Sequence, residues 1–301
     1  MPKHRTSKKI PATLWLGILT LVMACVLGTL PFMLMMHNSS STTAELDTRD
    51  AEVSKLSEKD RETQLQKAEE YNKTLLDKDA ERILGEATDP FSTDSGSVSS
   101  KDTEYNSLLA VPNDGIMARI QYPSLGIYLP VYHGTATDTL EKGAGHMYGT
   151  SLPVGGTGTH AVISAHTGYA DKLMFDRLGG VAPRPAPLSD KAKVGDVFYI
   201  TVMGKQLGYK VTSIDVIEPD DFSHFGINPV KDEVTLMTCT PYGVNTHRLL
   251  VTGERVPLPE QAPLVEDAPK DNSRVGMWVF IVGFWLLVVC VVVYVISKVR
   301  R

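Results

Sequence analysis

The sequence predicts a mostly β domain, either a barrel or a sandwich, that follows a helical stalk and is flanked by two transmembrane helices. Three observations support this fold class. Two long apolar runs stand toward opposite ends of the 301 residues, a charged stretch without glycine or proline follows the first run, and short β-type runs with glycine and proline between them fill the middle. The formal net charge of −5 is too mild to suggest nucleic-acid binding.

The first apolar run covers residues 12–36 and contains no charged side chain. As a helix it is long enough to cross the roughly 30 Å hydrocarbon core of a bilayer. The basic residues within the preceding segment 1–11 favour a cytoplasmic location for that segment. A cleaved signal peptide is the alternative interpretation, because a basic start followed by an apolar stretch fits both.

The second apolar run covers residues 275–297, and a short basic tail, residues 298–301, follows it. It predicts a second transmembrane helix whose tail is also cytoplasmic. Two spans with both basic ends inside leave everything between them outside the cell. We therefore expect a multi-pass membrane protein with an exported middle, and the proline-rich, acidic residues 257–274 predict a linker back to the membrane.

The exported part divides by composition into three segments. Residues 37–86 are rich in Glu, Asp, Lys and Ala with a broken apolar stripe, which predicts a helical stalk packed as a hairpin. Residues 87–104 are full of turn formers and predict an exposed loop. Residues 105–256 form a core of ordinary domain size.

Within the core, short β-type runs predict mostly antiparallel strands. These runs are residues 115–123, 125–133, 160–166, 196–204, 207–217, 233–239 and 247–256. The segments 138–149 and 170–180 interrupt the pattern, and we expect helical or irregular insertions there.

Cysteine use singles out one residue of the exported part. Cys25 and Cys290 lie within the apolar runs, which leaves Cys239 without a disulfide partner in its own domain. An odd cysteine in an exported protein indicates a reactive thiol or an intermolecular bond. A small buried apolar side chain is the alternative, and the lone residue does not decide between them.

Cys239 ends one predicted strand, and Arg248 lies at the start of the next. The seven residues between the strands can close a hairpin, which would place thiol and guanidinium at one end of adjacent strands. A nearby cation stabilises a thiolate, and an imidazole can carry the proton in acyl transfer. His166 ends a strand before a glycine turn and is favoured, but the other exported histidines remain open: His133, His146, His160, His224 and His247, besides His37 beside the first run.

Metal binding is a rival chemistry for these residues. His160, His166 and Cys239 contain zinc-binding groups, but a spacing of six residues along an extended chain is not a familiar ligand pair. An acidic stretch could hold calcium, although a solvated turn is the simpler interpretation: Asp215, Glu218, Asp220 and Asp221. We expect no metal and no cofactor.

The stretch TLMTC, residues 235–239, resembles the TLxTC signature of the sortase family. His166 in SAHTG and Arg248 match the family's catalytic histidine and arginine, in the same chain order. The resemblance spans the core and implies an eight-stranded β-barrel. It also implies that Cys239 is the nucleophile, that His166 and Arg248 are catalytic, and that Thr238 and Thr235 line the substrate groove.

For function, the resemblance implies transpeptidation on the outer face of a Gram-positive cell. The cysteine would cleave an LPxTG-like sorting signal between threonine and glycine through a thioacyl intermediate. The second span and the tripeptide Asp89, Pro90 and Phe91, which resembles a lid motif, point to class C, the pilus-building sortases. The partners would then be pilin subunits, whose lysine amine is the acceptor. A housekeeping sortase that uses a cell-wall precursor, and an inactive membrane-tethered binding module, are the alternatives.

Overall fold

The structure, a computed structural model, describes residues 11–77, 98–111, 115–168, 172–180, 191–269 and 273–300. Eight strands form a closed barrel, which confirms the predicted fold class. The strands are β1 Ile116–Tyr122, β2 Ile127–His133, β3 Ala144–His146, β4 Thr159–Ser164, β5 Val197–Val202, β6 Lys205–Ile217, β7 Asp232–Thr240 and β8 His247–Val256. The helices of the described residues are α1 Ala12–Lys55, α2 Glu58–Asp77, α3 Thr103–Ser107, α4 Thr137–Leu140 and α5 Ser273–Arg300, with 3₁₀ turns at Ser99–Lys101, Pro123–Leu125 and Ser223–Phe225.

The barrel closes in the strand order β1-β2-β3-β4-β7-β8-β6-β5. Most neighbours are antiparallel, as predicted, but β2 pairs with β3 and β4 pairs with β7 in parallel. The parallel pair β4–β7 is central to the site, because parallel strands end at the same edge of a sheet. The larger apolar core includes Ile163, Leu236 and Val251 from β4, β7 and β8.

Strand β3 lies in a segment predicted to be helical or irregular. Its central residue, Gly145, comes so close to β2 that an added Cβ would lie 2.3 Å from the carbonyl oxygen of Gly134. Only glycine permits that approach, since side-chain carbons do not tolerate such a distance. The segment 172–180 contains turns rather than a regular helix, as the alternative of an irregular insertion predicted.

The described part of the predicted stalk is helical and packs on the barrel. Helix α1 continues without a break from the apolar run into the stalk. Arg49 of α1 donates a hydrogen bond to the carbonyl of Leu109, at 3.2 Å. Asn72 of α2 exchanges two bonds with the backbone of Leu152, at 2.7 and 3.0 Å. These buried contacts fix the stalk against the barrel.

Helices α1 and α5 are long and apolar enough to cross a membrane, by length and composition. Only 6% and 11% of their most apolar windows are buried against the rest of the chain. A core helix of a soluble domain would bury its apolar face, so these surfaces fit contact with lipid better. The two helices can therefore anchor the protein in a membrane.

The described part of the predicted linker lies against the barrel. Leu258 packs so closely over Gly208 of β6 that an added Cβ would lie 2.8 Å from the leucine side chain. The hydroxyl of Tyr199 in β5 donates to the carbonyl of Pro263, at 2.8 Å. The composition predicted a linker back to the membrane, and these contacts dock the first part of that segment on β5 and β6.

Candidate active site

Cys239 and Arg248 lie opposite each other on neighbouring strands. The antiparallel register of β7 and β8 pairs these two residues and, two residues further in, pairs Met237 with Leu250. Directly opposed residues share one face of a sheet. Met237 and Leu250 belong to a small apolar cluster that is separate from the main core. The thiol and the guanidinium therefore leave the barrel wall on the side turned away from the main core.

His166 follows the end of β4, next to β7. The parallel register pairs Ser164 with Met237, and the N–H of Ala165 donates to the carbonyl of Met237, at 3.1 Å. Continuing this register by two residues in each strand sets the backbone of His166 beside that of Cys239. Neighbouring strands are about 4.8 Å apart. The predicted histidine, cysteine and arginine thus fall on one row across β4, β7 and β8.

The turn after His166 is tied to β7 by two threonines. The hydroxyl of Thr238 donates to the carbonyl of Ala165, at 2.7 Å. Its single proton is then used, so Thr167 is the donor in the 2.7 Å contact between the two hydroxyls. Gly168 closes the turn with a φ of 81°, a conformation that favours glycine. The predicted substrate contact of Thr238 stays a prediction, and its observed bonds position the turn.

Burial sets the charge state of the imidazole. His166 is half-buried. Its pKa is lowered from the ordinary value of 6.5, chiefly because burial disfavours the imidazolium, while the nearby Glu141 carboxylate opposes this effect. The ring is therefore mostly neutral at pH 7 and can accept a proton.

The thiol and the guanidinium are almost fully enclosed. Cys239 is 7% exposed and Arg248 is 4% exposed. The Nη1 atom of Arg248 donates to the carbonyls of Asn245 and His247, at 3.1 and 2.9 Å. Both carbonyls belong to the end of the predicted hairpin, so the loop itself fixes the orientation of the guanidinium.

Two of the alternative candidates for the catalytic histidine, His146 and His160, contact side chains other than that of Cys239. His146 contacts the Tyr105 hydroxyl at 2.9 Å, and complete burial lowers its pKa to about 4. His160 contacts the Thr235 hydroxyl at 2.7 Å. Thr235 lies four residues before Cys239, roughly 13 Å away along the strand. The structure shows the Thr235 hydroxyl in this buried contact with His160. A contact between Thr235 and the substrate therefore stays a prediction.

The predicted lid tripeptide Asp89, Pro90 and Phe91 lies outside the described residues. Within the described ranges, no group of three or more His, Cys, Asp or Glu side chains is arranged to hold a metal ion.

Asp176, which is not among the predicted site residues, contacts the turn after His166. It is 2% exposed, and its carboxylate accepts hydrogen bonds from the backbone N–H groups of Gly168 and Met174, at 2.8 and 2.9 Å. Burial raises its pKa, while these N–H groups oppose the rise. An acidic residue inside the apolar run LMFDRL was the available signal, because a buried carboxylate in such a run needs specific donors.

Comparison with known proteins identifies relatives of this barrel. The model of the sortase domain family matches residues 120–256. Sortase A of Streptococcus agalactiae is 30% identical over 139 residues, which cover 46% of this chain and 52% of that protein. The match thus spans about half the length of this curated relative.

Solved structures extend the similarity. A lid mutant of sortase A from Corynebacterium diphtheriae is 39% identical, with a TM-score of 0.55 over 69% of this chain and 99% of that one. The pilus-related sortase C of Group B Streptococcus is 37% identical, with a TM-score of 0.58 over 69% of this chain and 95% of that one. Both solved chains are therefore covered almost completely.

Proposed function

We propose that this chain, which belongs to the sortase family, is a membrane-anchored cysteine transpeptidase with Cys239 as nucleophile, His166 as proton carrier and Arg248 as carbonyl-binding residue. The observation that carries the proposal is the row of these three residues across the ends of β4, β7 and β8. A lone buried cysteine would not need a guanidinium directly opposite it.

In the first step, the Cys239 sulfur attacks the carbonyl carbon between threonine and glycine of an LPxTG-like sorting signal. The carbon–sulfur bond forms while the carbon–nitrogen bond breaks, and the thiol proton passes through His166 to the leaving amine. Arg248 donates hydrogen bonds to the carbonyl oxygen, whose negative charge grows during attack. The product is a thioester on Cys239 and a released glycine amine.

In the second step, an acceptor amine attacks the thioester. The neutral His166 takes the proton from the attacking nitrogen, the carbon–sulfur bond breaks, and the thiol is restored. Atoms balance without an oxidant or a cofactor, since one amide is exchanged for another. Water competes for the same thioester, and an enclosed thiol limits that side reaction.

The predicted lid would add to this exclusion of water. Asp89 would pair with Arg248, and Phe91 would cover Cys239, with Pro90 fixing the turn between them. The lid motif of the sequence supports this assignment, and one solved relative is itself described as a lid mutant.

We place the barrel on the outer face of a Gram-positive membrane, with both apolar helices as anchors. Basic residues beyond both apolar runs support this orientation. The acceptor is then a lysine amine of a pilin subunit, and repeated cycles polymerise the pilus. Support for this class C role comes from the second apolar helix and from the similarity to a pilus-related sortase C.

The experiment compares the full chain with its Cys239→Ala variant in detergent micelles. A panel of fluorogenic peptides with LPxTG-type motifs is cleaved in the presence of hydroxylamine, which resolves the thioester. We expect cleavage by the wild-type protein and none by the variant, whose unfolding temperature should remain close to that of the wild type. Equal cleavage by both proteins contradicts the proposal.

A housekeeping role, with a cell-wall precursor amine as acceptor, is the second candidate. The 30% identity with a sortase A favours it. A competition between a pilin-type lysine peptide and a short glycine or diaminopimelate peptide separates the two. Preferential ligation of the lysine peptide supports the pilus role, and preferential ligation of the other amine supports the housekeeping role.

A further inference from the structure

We propose that Asp176 is a positioning residue for His166, because its carboxylate holds the turn that sets the imidazole beside Cys239. The inference rests on the proposed function, which gives His166 its catalytic role. Asp176 itself contacts no reacting group and acts through the backbone of residues 166–168.

The carboxylate joins two stretches of backbone. One oxygen, Oδ1, accepts the N–H of Gly168 at 2.8 Å, and the other, Oδ2, accepts the N–H of Met174 at 2.9 Å. Gly168 is the second residue after His166. The side chain of Asp176 thus fixes the far end of the histidine turn.

A second bond ties the same two stretches together. The N–H of Phe175 donates to the carbonyl of His166, at 3.1 Å. Phe175 and Met174 are buried in the main core, so the segment 172–180 is anchored independently of the turn. From the opposite side, Thr238 holds the carbonyl of Ala165. The histidine turn is therefore held between the core-anchored segment and β7.

A carboxylate suits this place better than its neutral analogue. Two acceptor oxygens are needed, because the two N–H donors reach different atoms of the side chain. An asparagine offers one acceptor oxygen and would turn an N–H₂ group toward the other donor. Burial of the Asp176 carboxylate lowers the stability of the folded chain. In return, its two hydrogen bonds restrict the conformation of the turn at residues 166–168.

The chain offers a matched control in Asp232, at the start of β7. Its carboxylate also accepts a glycine N–H, that of Gly156 at 2.7 Å, and burial also raises its pKa. It lies at the opposite end of the strand from Cys239. Loss of a buried carboxylate alone should therefore affect Asp176→Asn and Asp232→Asn alike, whereas loss of positioning should affect only the first.

The test uses the full chain in detergent micelles with two readouts. The first is kcat and KM for cleavage of an LPxTG-type peptide with hydroxylamine as acceptor. The second is the pH profile of Cys239 alkylation by iodoacetamide, followed by peptide mapping. For Asp176→Asn we expect kcat to fall about tenfold to a hundredfold with KM within about twofold, and the alkylation profile to approach that of His166→Ala. Asp232→Asn should keep both the wild-type kcat and the wild-type profile.

An unchanged kcat and alkylation profile in Asp176→Asn overturns the inference, as does an equal loss in Asp232→Asn. If the wild-type chain cleaves no peptide of the panel, the proposed function fails, and the alkylation profiles still report whether Asp176 governs the His166–Cys239 pair. Failure of the inference and failure of the function are thus separate results.

Discussion

The two ends of the parallel pair β4–β7 use similar polar groups for different purposes. At the start of β7, Asp232 accepts hydrogen bonds from Gly156 and from the hydroxyl of Tyr209, at 2.7 and 3.0 Å. Arg255 of β8 contacts the face of the Tyr209 ring, 5.7 Å from its centroid. At the other end, the same two strands β7 and β8 carry Cys239 and Arg248.

The difference lies in what the hydrogen bonds hold. Around Asp232, one carboxylate gathers the hydroxyl of Tyr209 and the backbone N–H of Gly156, and these bonds close that end of the sheet. Around Cys239, the hydrogen bonds go mainly to the backbone: Arg248 binds loop carbonyls and Thr238 binds the carbonyl of Ala165. Bonds of this kind to the backbone fix the positions of the proposed catalytic side chains. The barrel thus has a closed end around Asp232 and, around Cys239, the proposed reactive end.

The largest expected effect separates the two arginines of β8. Arg248→Lys should lower kcat/KM for peptide cleavage by about a hundredfold, because an ammonium cannot replace the planar fork that donates to a carbonyl. Arg255→Lys is the control and should stay within about twofold of the wild type. Steady-state kinetics with the fluorogenic peptide measures both. Equal losses of kcat/KM in the two variants would show that Arg248 has no catalytic role that Arg255 lacks.

The next effect concerns stability. Asp232→Ala leaves the N–H of Gly156 and the hydroxyl of Tyr209 without their carboxylate, which should destabilise the barrel by about 1–3 kcal/mol. Thermal unfolding followed by circular dichroism tests this expectation. kcat measured well below the unfolding temperature should not change, and a fall in kcat would show that the closed end also serves catalysis.

Much of the reactive end could be predicted from sequence because it lies on one hairpin. The strand ending at Cys239 and the strand beginning near Arg248 are separated by a turn-rich loop, and their register follows from that spacing. Strand β3 could not be predicted, since three residues carry no periodicity and its pairing depends on the close approach of Gly145 to Gly134.

The rest depended on contacts between distant parts of the chain. The parallel pairing of β4 with β7, which brings His166 to Cys239, leaves no local pattern in either strand. Asp176 lay in a segment predicted as an insertion, and its partner Gly168 became evident only in the fold. The docking of the predicted linker on the barrel was not foreseen for the same reason: the space over Gly208 that Leu258 fills is created by tertiary packing.

A smaller effect is expected from the predicted lid, which would cover only the reactive end. Substituting Asp89 and Phe91 with Ala should speed iodoacetamide labelling of Cys239 several-fold, because both the charge partner and the aromatic cover are lost. Ser95→Ala, in the same predicted loop, is a control. An unaltered labelling rate in the double variant would count against a plug.

The smallest effect is a pH dependence of stability. Burial lowers the pKa of His166, so the unfolded chain binds the proton first as pH falls below about 6.5. The free energy of unfolding should therefore decrease between pH 7.5 and 5.5, and His166→Gln should lose less. Unfolding temperatures of both proteins at the two pH values measure the difference. If the unfolding temperature of His166→Gln depends on pH as steeply as that of the wild type, or more steeply, burial does not disfavour the protonated form of His166.

Cys239 as the nucleophile is tested by intact and peptide-level mass spectrometry of the wild-type chain after brief reaction with an LPxTG-type peptide and acid quench. We expect an adduct on Cys239 whose mass equals the peptide portion ending in threonine, and we expect hydroxylamine to remove it. An adduct on another residue, or peptide cleavage with no adduct on Cys239 in rapid-quench samples, would show that Cys239 is not the nucleophile.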